Sequence, residues 1–79
     1  MKAQIFVTLR PGVLDPQGSA IGHSLQGLGF AELVEIRQGR FYEVTLDTVD
    51  AAVARSQLDK FCQSMIANPV IETYRIELL

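Results

Sequence analysis

The chain has 79 residues, a net charge of −2 and one cysteine, and 48% of its residues are hydrophobic. A chain of this length forms one domain, residues 1–79, near the lower size limit for folding without disulfides or metals. Its charges are interspersed in sign, which argues against tight binding to nucleic acid or anionic membranes. The lone Cys62 excludes an internal disulfide and no apolar stretch could span a membrane, so we expect a cytoplasmic protein.

The N-terminal segment predicts a strand followed by a helix. Lys2–Leu9 alternates apolar and polar residues, which is typical of a half-buried strand. After a loop rich in proline and glycine, Asp15 can accept a hydrogen bond as a helix N-cap. Pro16 suits the first helical position, where its missing N–H costs nothing. The predicted helix runs to about Leu28, and Gly29 ends it.

A β-hairpin is predicted next. Ala31–Gln38 and Arg40–Asp47 both alternate in polarity, and Gly39 stands between them. A glycine between two alternating segments is a strong local signal for a tight turn. These segments therefore predict the second and third strands.

The C-terminal part predicts a second helix and a last strand. The helix spans Val49–Ala67, with Asp47 or Thr48 as its N-cap. Pro69 ends it, and Val70–Leu79 alternates as a strand. The apolar stripe expected to be buried on this helix consists of Ala51, Ala54, Leu58, Phe61, Cys62 and Met65.

The element order βαββαβ predicts an α+β, ferredoxin-like sandwich with a four-stranded antiparallel sheet and two helices on one face. The other face of the sheet is then uncovered and carries two phenylalanines. An uncovered apolar face predicts a partner, and we expect a homodimer. The residues expected at this dimer interface are Phe6, Thr8, Leu33, Phe41 and Thr45.

No group of side chains forms a catalytic constellation. Cys62 falls on the buried helical stripe and His23 on an exposed one, so they form neither a nucleophile–base pair nor a metal site. Glu35 and Glu43 could form an acid–base dyad on the hairpin, but charges paired with arginines are the favoured interpretation. The loop after the first strand lacks the lysine and spacing of a phosphate-binding loop. We expect no catalytic residues, no metal and no cofactor in this chain.

Two other functions remain open at this point. RNA-recognition domains share the predicted fold and stack bases on aromatic residues placed roughly where Phe6 and Phe41 lie. The segment QGRFYEV does not match their glycine–aromatic signature, and the net charge is unfavourable. A small-molecule-sensing regulatory domain of the same fold is the other alternative.

Four segments together resemble the PurS family. They are VTLRPGVLDPQG (Val7–Gly18), GLGF (Gly27–Phe30), IRQGRFYEVTLD (Ile36–Asp47) and ANPVIETYRIEL (Ala67–Leu78). The resemblance covers nearly the whole chain in order and spacing. Where the family commonly has R-x-G-K in the hairpin, this chain has Arg40 in place of the lysine.

The resemblance implies a non-catalytic small subunit of formylglycinamidine ribonucleotide synthase in purine biosynthesis. It implies a homodimer, with a tetramer left open, that bridges a PurL-type synthetase and a PurQ-type glutaminase and supports ammonia transfer. ATP and magnesium would be used by the large synthetase subunit. The residues expected to contact these partners are Arg10, Asp15, Pro16, Gln17, Gly18, Arg37, Gly39, Arg40, Asn68 and Pro69.

Overall fold

A computed structural model describes residues 1–79. The elements are β1 (Lys2–Leu9), α1 (Pro16–Gly27), β2 (Gly39–Thr45), α2 (Ala51–Phe61), a π-helical turn (Cys62–Ile66) and β3 (Glu72–Leu78). Neither helix is long and apolar enough to cross a membrane.

The three strands form one antiparallel sheet in the order β2-β1-β3. Alternation along β1 turns Ala3, Ile5 and Val7 toward α2, where they form the core with Leu58 and Cys62. All five side chains are almost completely buried. Burial raises the pKa of the Cys62 thiol, because the charged thiolate is disfavoured away from water. Cys62 is therefore a packing residue, as its position on the helical stripe predicted.

The predicted four-stranded ferredoxin-like sandwich is wrong, because residues 33–38 join no sheet and only three strands remain. The predicted α+β class is confirmed. Segment 33–38 runs back along α1. The Gln26 side-chain amide donates to the Leu33 carbonyl (2.9 Å), and the Gln38 N–H donates to the Asp15 carboxylate (2.6 Å). These bonds make residues 33–38 span the same distance as residues 15–26. Eleven residues of helix cover about 16 Å, and five residues cover that distance only when the chain is extended.

Gly39 does not form the predicted hairpin turn. Tight two-residue hairpin turns need positive φ, and only Gly12 (φ 87°) and Gly29 (φ 103°) have it. Gly39 instead begins β2 opposite Thr8, where a Cβ would lie 2.6 Å from the Val7 carbonyl oxygen. The glycine allows the close approach of two strands, and the chain continues straight from the extended segment into β2.

Residues 10–38, which we call the arm, project away from the sheet. They comprise the loop after β1, α1 and the extended segment, and α1 makes no substantial contact with any strand. The prediction that both helices cover one face of the sheet is therefore wrong for α1. The radius of gyration is 16.0 Å, against about 12 Å for a compact chain of this length. Only nine of the 79 residues are buried, so much of the apolar surface has no partner within the chain.

The helix ends follow local capping rules. Asp15 caps α1 by accepting from the Gly18 N–H, and Pro16 is its first residue, both as predicted. The predicted caps of α2 are wrong, because Asp50 takes that role by accepting from the Ala52 and Val53 N–H groups.

Candidate partner-binding surfaces

The chain segments that carry the ten predicted partner residues all adjoin the same end of the sheet. Thr8 at the end of β1 lies opposite Gly39 at the start of β2, and Leu9 lies opposite Glu72 at the start of β3. A shallow hollow of about 470 Å³ opens there. The strand-end surface comprises this hollow and its rim. Five predicted partner residues line the hollow: Asp15, Pro16, Gln17, Gly39 and Arg40.

Asp15 closes the base of the arm. Its carboxylate accepts from the Gly18 N–H (2.9 Å) and from the Gln38 N–H (2.6 Å), and its side chain is buried. The two backbone donors, first Gln38 and then Gly18, lower the pKa of Asp15 because they stabilise the charged form. Arg37 adds a second link by donating to the Val13 carbonyl (2.9 Å). The two ends of the arm are thus fastened to each other.

A second polar cluster surrounds Arg40. Its guanidinium donates to the Glu72 carboxylate (2.8 and 3.0 Å), the Ile66 carbonyl (2.7 Å) and the Tyr42 hydroxyl (3.1 Å). Glu72 also accepts from the Asn68 N–H (2.7 Å), and that bond, followed by Arg40, lowers the pKa of Glu72. The side-chain bond to Glu72 in turn raises the pKa of Arg40. The cluster ties the end of the π-helical turn to the start of β3 and to β2.

Sequence reasoning missed Glu72 in this cluster. The available signal was its place at the start of the last strand, on the same side of the sheet as Arg40. The prediction began that strand two residues earlier, at Val70, and so obscured the position of Glu72.

The three arginines expected to bind partners all have acceptors within the chain. Arg10 donates to the Pro69 carbonyl (3.0 Å), while Arg37 and Arg40 make the bonds described above. Pro16 and Gln17 remain exposed on the rim, whereas Gly18 is buried beneath them. These arginines thus shape the strand-end surface, and their contact with a partner stays a prediction.

The uncovered face of the sheet carries an aromatic row, which we call the aromatic face. Phe6 and Phe41 are paired across β1 and β2, with ring centroids 5.1 Å apart. The Arg75 guanidinium lies 4.3 Å from the centroid of Phe6 on the other side. Phe41 remains 49% exposed, so the row is still accessible to a partner. Of the five predicted dimer residues, Phe6, Thr8, Phe41 and Thr45 fall on the strands of this face, and Leu33 lies in the arm.

An apolar groove lies beside α2 on the helix-bearing side of the sheet. Its volume is about 320 Å³. Phe61 and Met65, predicted to be buried, form part of it and are 42% and 87% exposed, because α1 does not cover them. The groove is lined mainly by Ile5, Tyr42, Val44, Phe61, Met65 and Ile66. The sequence signal for this surface was the predicted apolar stripe of the helix. The stripe includes Phe61 and Met65, which the core of this chain does not bury.

Acid is expected to loosen the base of the arm. The pKa of Asp15 is lowered on folding, so its stabilising effect is present above its ordinary value of 3.8 and is lost as the pH falls through the lower folded value. We expect Asp15→Asn to lower the melting temperature at pH 6 and to differ less from the parent at pH 3. Asp47→Asn, at an exposed aspartate that caps no helix, is the control. A gap that stays constant from pH 6 to pH 3 would contradict the role of the Asp15 carboxylate.

Comparison with known proteins identifies the family. The family model of PurS, described as phosphoribosylformylglycinamidine (FGAM) synthase, matches residues 2–79. The PurS subunit of Synechocystis sp. is 47% identical over 95% of this chain and 75% of its own length. That of Bacillus subtilis is 36% identical over 98% of this chain and 90% of its own length.

Solved structures agree with the sequence comparison. A chain in the structure of PurLQS from Thermotoga maritima is 27% identical, with a TM-score of 0.90 over 99% of this chain and 95% of that one. Methanocaldococcus jannaschii PurS is 29% identical, with a TM-score of 0.87 over 96% of this chain and 92% of that one. Because the likeness covers nearly the whole chain, it includes the projecting arm. Neither the RNA-binding nor the regulatory alternative finds support. The chain therefore belongs to the PurS family, whose members are subunits of phosphoribosylformylglycinamidine synthase in purine biosynthesis.

Proposed function

We propose that this chain is a non-catalytic subunit that holds a PurL-type synthetase and a PurQ-type glutaminase in one assembly. The observation that carries the proposal is the match over residues 2–79, together with the 0.90 TM-score to a chain of PurLQS from T. maritima. Ammonia released in water is protonated and diffuses away, so a scaffold that keeps two coupled sites together supports its transfer. ATP and magnesium bind to the synthetase subunit in this proposal, and the complex works in the cytoplasm.

The strand-end surface is the proposed contact with these larger subunits. Its loops are held by bonds from Arg10, Arg37 and Arg40 to backbone carbonyls, and by the Asp15 carboxylate. Loops that are already fixed lose little conformational entropy when a partner docks. The exposed Pro16 and Gln17 then offer a rim of defined shape.

The chain acts as a homodimer in this proposal, because the single copy is incomplete. In α1, Ile21 and Leu28 are 42% and 75% exposed, and no strand packs against them. The outer edge of β2 pairs with no strand, and the extended segment 33–38 joins no sheet. Unpaired strand edges and uncovered apolar helices are the features that a second copy satisfies.

The geometry favours exchange of the arms. Residues 33–45 contain no turn or bend. Two copies could therefore lie antiparallel, with their two-fold axis between Gln38 and Gly39, and each would add its segment 33–38 as a strand beside the other's β2. The arm of one copy would then place the apolar side of α1 near the groove beside the other's α2. The lining of the groove is nearly all apolar, and the stripe formed by Ile21, Leu25 and Leu28 is apolar too, so the two surfaces match. Such an isologous contact uses the same surfaces twice.

A matched pair of substitutions tests the homodimer. Met65→Asp places a charge in the groove, and we expect the dimer dissociation constant to rise at least about 100-fold, because an unpaired charge would be buried. Val49→Asp changes a similarly exposed residue, 95% accessible and outside the groove, and is expected to leave dimerisation unchanged. Sedimentation equilibrium measures both. Equal effects of the two variants, or none from Met65→Asp, would exclude the groove from the interface.

Reconstitution tests the function itself. The chain is mixed with PurL-type and PurQ-type subunits, ATP, magnesium, glutamine and formylglycinamide ribonucleotide, and product formation is measured with and without it. We expect glutamine-dependent synthesis to need the chain, while synthesis supplied with ammonium salt proceeds without it. Glutamine-dependent synthesis that is equally fast in its absence would overturn the proposal.

A further inference from the structure

The joint between the arm and the sheet consists of residues 37–40, and we call it the hinge. Asp15 binds the Gln38 N–H at 2.6 Å, and Arg37 reaches back to the Val13 carbonyl at 2.9 Å. On the other side, Gly39 is already part of β2 and packs against the backbone of Val7. No residue is left between these two attachments to form a turn.

The backbone conformation at the hinge also opposes a turn. Tight hairpins use Asn-Gly, Asp-Gly or Gly-X, because one or both central residues need positive φ. The hinge reads Arg37-Gln38-Gly39-Arg40, and its Gly39-Arg40 pair matches the Gly-X pattern. In the structure, however, neither Gln38 nor Gly39 has positive φ, so the hinge is held extended. The extended segment is therefore kept from folding back onto its own β2, although its alternating pattern suits a strand.

We propose that the hinge decides the partner of segment 33–38, by preventing it from pairing with its own chain and so committing it to a second copy. This inference rests on the homodimer proposed above. A short hinge that cannot turn favours exchange between copies, and a hinge given turn-forming residues allows closure. The hinge, together with the apolar groove, then sets the oligomeric state.

Two insertions of equal length test the hinge. Inserting Asn-Gly between Gln38 and Gly39 supplies a type I′ turn, and inserting Thr-Val there lengthens the strand without supplying one. Each adds two residues and so preserves the alternation of the two faces. We expect the Asn-Gly variant to be a folded monomer at concentrations where the parent is a dimer, with dimerisation about 100-fold weaker. The Thr-Val variant is expected to remain a dimer.

Small-angle scattering separates closure from simple dissociation. A closed monomer has a radius of gyration near 12 Å, whereas a dissociated monomer with its arm extended keeps the 16.0 Å of the open chain. Circular dichroism checks that each variant folds. An Asn-Gly variant that stays dimeric, unfolds or dissociates with its arm extended overturns the inference, as does a monomeric Thr-Val variant. A monomeric parent would contradict both the proposed homodimer and this inference. A dimeric parent whose Asn-Gly variant is equally dimeric would contradict only the proposed role of the hinge.

Discussion

Replacing Leu58 with alanine is expected to lower the free energy of unfolding by about 2–5 kcal/mol. The Leu58 side chain is fully buried in the cluster that joins α2 to β1, with Ile5 and Val7 among its neighbours. Truncation removes apolar burial and leaves a cavity. The free energy of unfolding of a domain this size is about 5–10 kcal/mol in total, so the substitution would remove a large share of the stability.

Urea denaturation followed by circular dichroism at fixed protein concentration measures this effect, since the proposed dimerisation would make stability depend on concentration. Val53→Ala on the same helix is the control, because Val53 is 44% exposed. We expect the control to cost less than about 1 kcal/mol. Equal losses in the two variants would mean that Leu58 does not lie in the main core.

Gly18 and Gly27 lie near opposite ends of α1, and we expect their replacement by alanine to change the stability in opposite directions. A Cβ at Gly18 would lie 2.5 Å from an Asp15 carboxylate oxygen and 2.6 Å from the Ile36 carbonyl oxygen. Gly18→Ala must therefore open the base of the arm, and overpacking of this kind costs about 1–3 kcal/mol. A Cβ at Gly27 meets nothing, so Gly27→Ala gains up to about 1 kcal/mol from helix propensity.

Thermal unfolding of the two variants beside the parent measures both changes. The expected result is a lower melting temperature for Gly18→Ala and a higher one for Gly27→Ala. Because the substitution is chemically identical and lies in the same helix, helix propensity cannot explain opposite signs. A stabilised Gly18→Ala variant would show that segment 33–38 does not pack tightly on α1.

The candidate site was predictable in part. The resemblance and the loop composition selected residues that the strand order brings to one end of the sheet, and five of them line one hollow. Their internal bonds were not predictable, because the acceptors of Arg10 and Arg37 are backbone carbonyls with no sequence signature. The groove beside α2 was hidden for another reason. Met65 has the spacing of a buried residue, and periodicity does not specify which chain will cover it.

Local features follow from the sequence because their causes are local. The alternation of Lys2–Leu9 selects the face of β1 that meets α2, and Asp15 with Pro16 starts α1 through bonds within four residues. The family assignment also came from the sequence, since its motifs lie in short segments. None of these depends on how distant elements are arranged.

Only the tertiary structure decided that segment 33–38 does not join the sheet of its own chain. Its alternating pattern indicates a strand, but a strand is completed by hydrogen bonds to a neighbour, and the pattern does not name that neighbour. Two contacts between residues far apart in the sequence keep the segment from pairing with β2 of its own chain. Asp15 holds the Gln38 N–H, and the backbone of Val7 leaves no room for a side chain at Gly39. A glycine that suggests a turn in the sequence therefore lies in a straight strand, and the arm projects beyond the sheet.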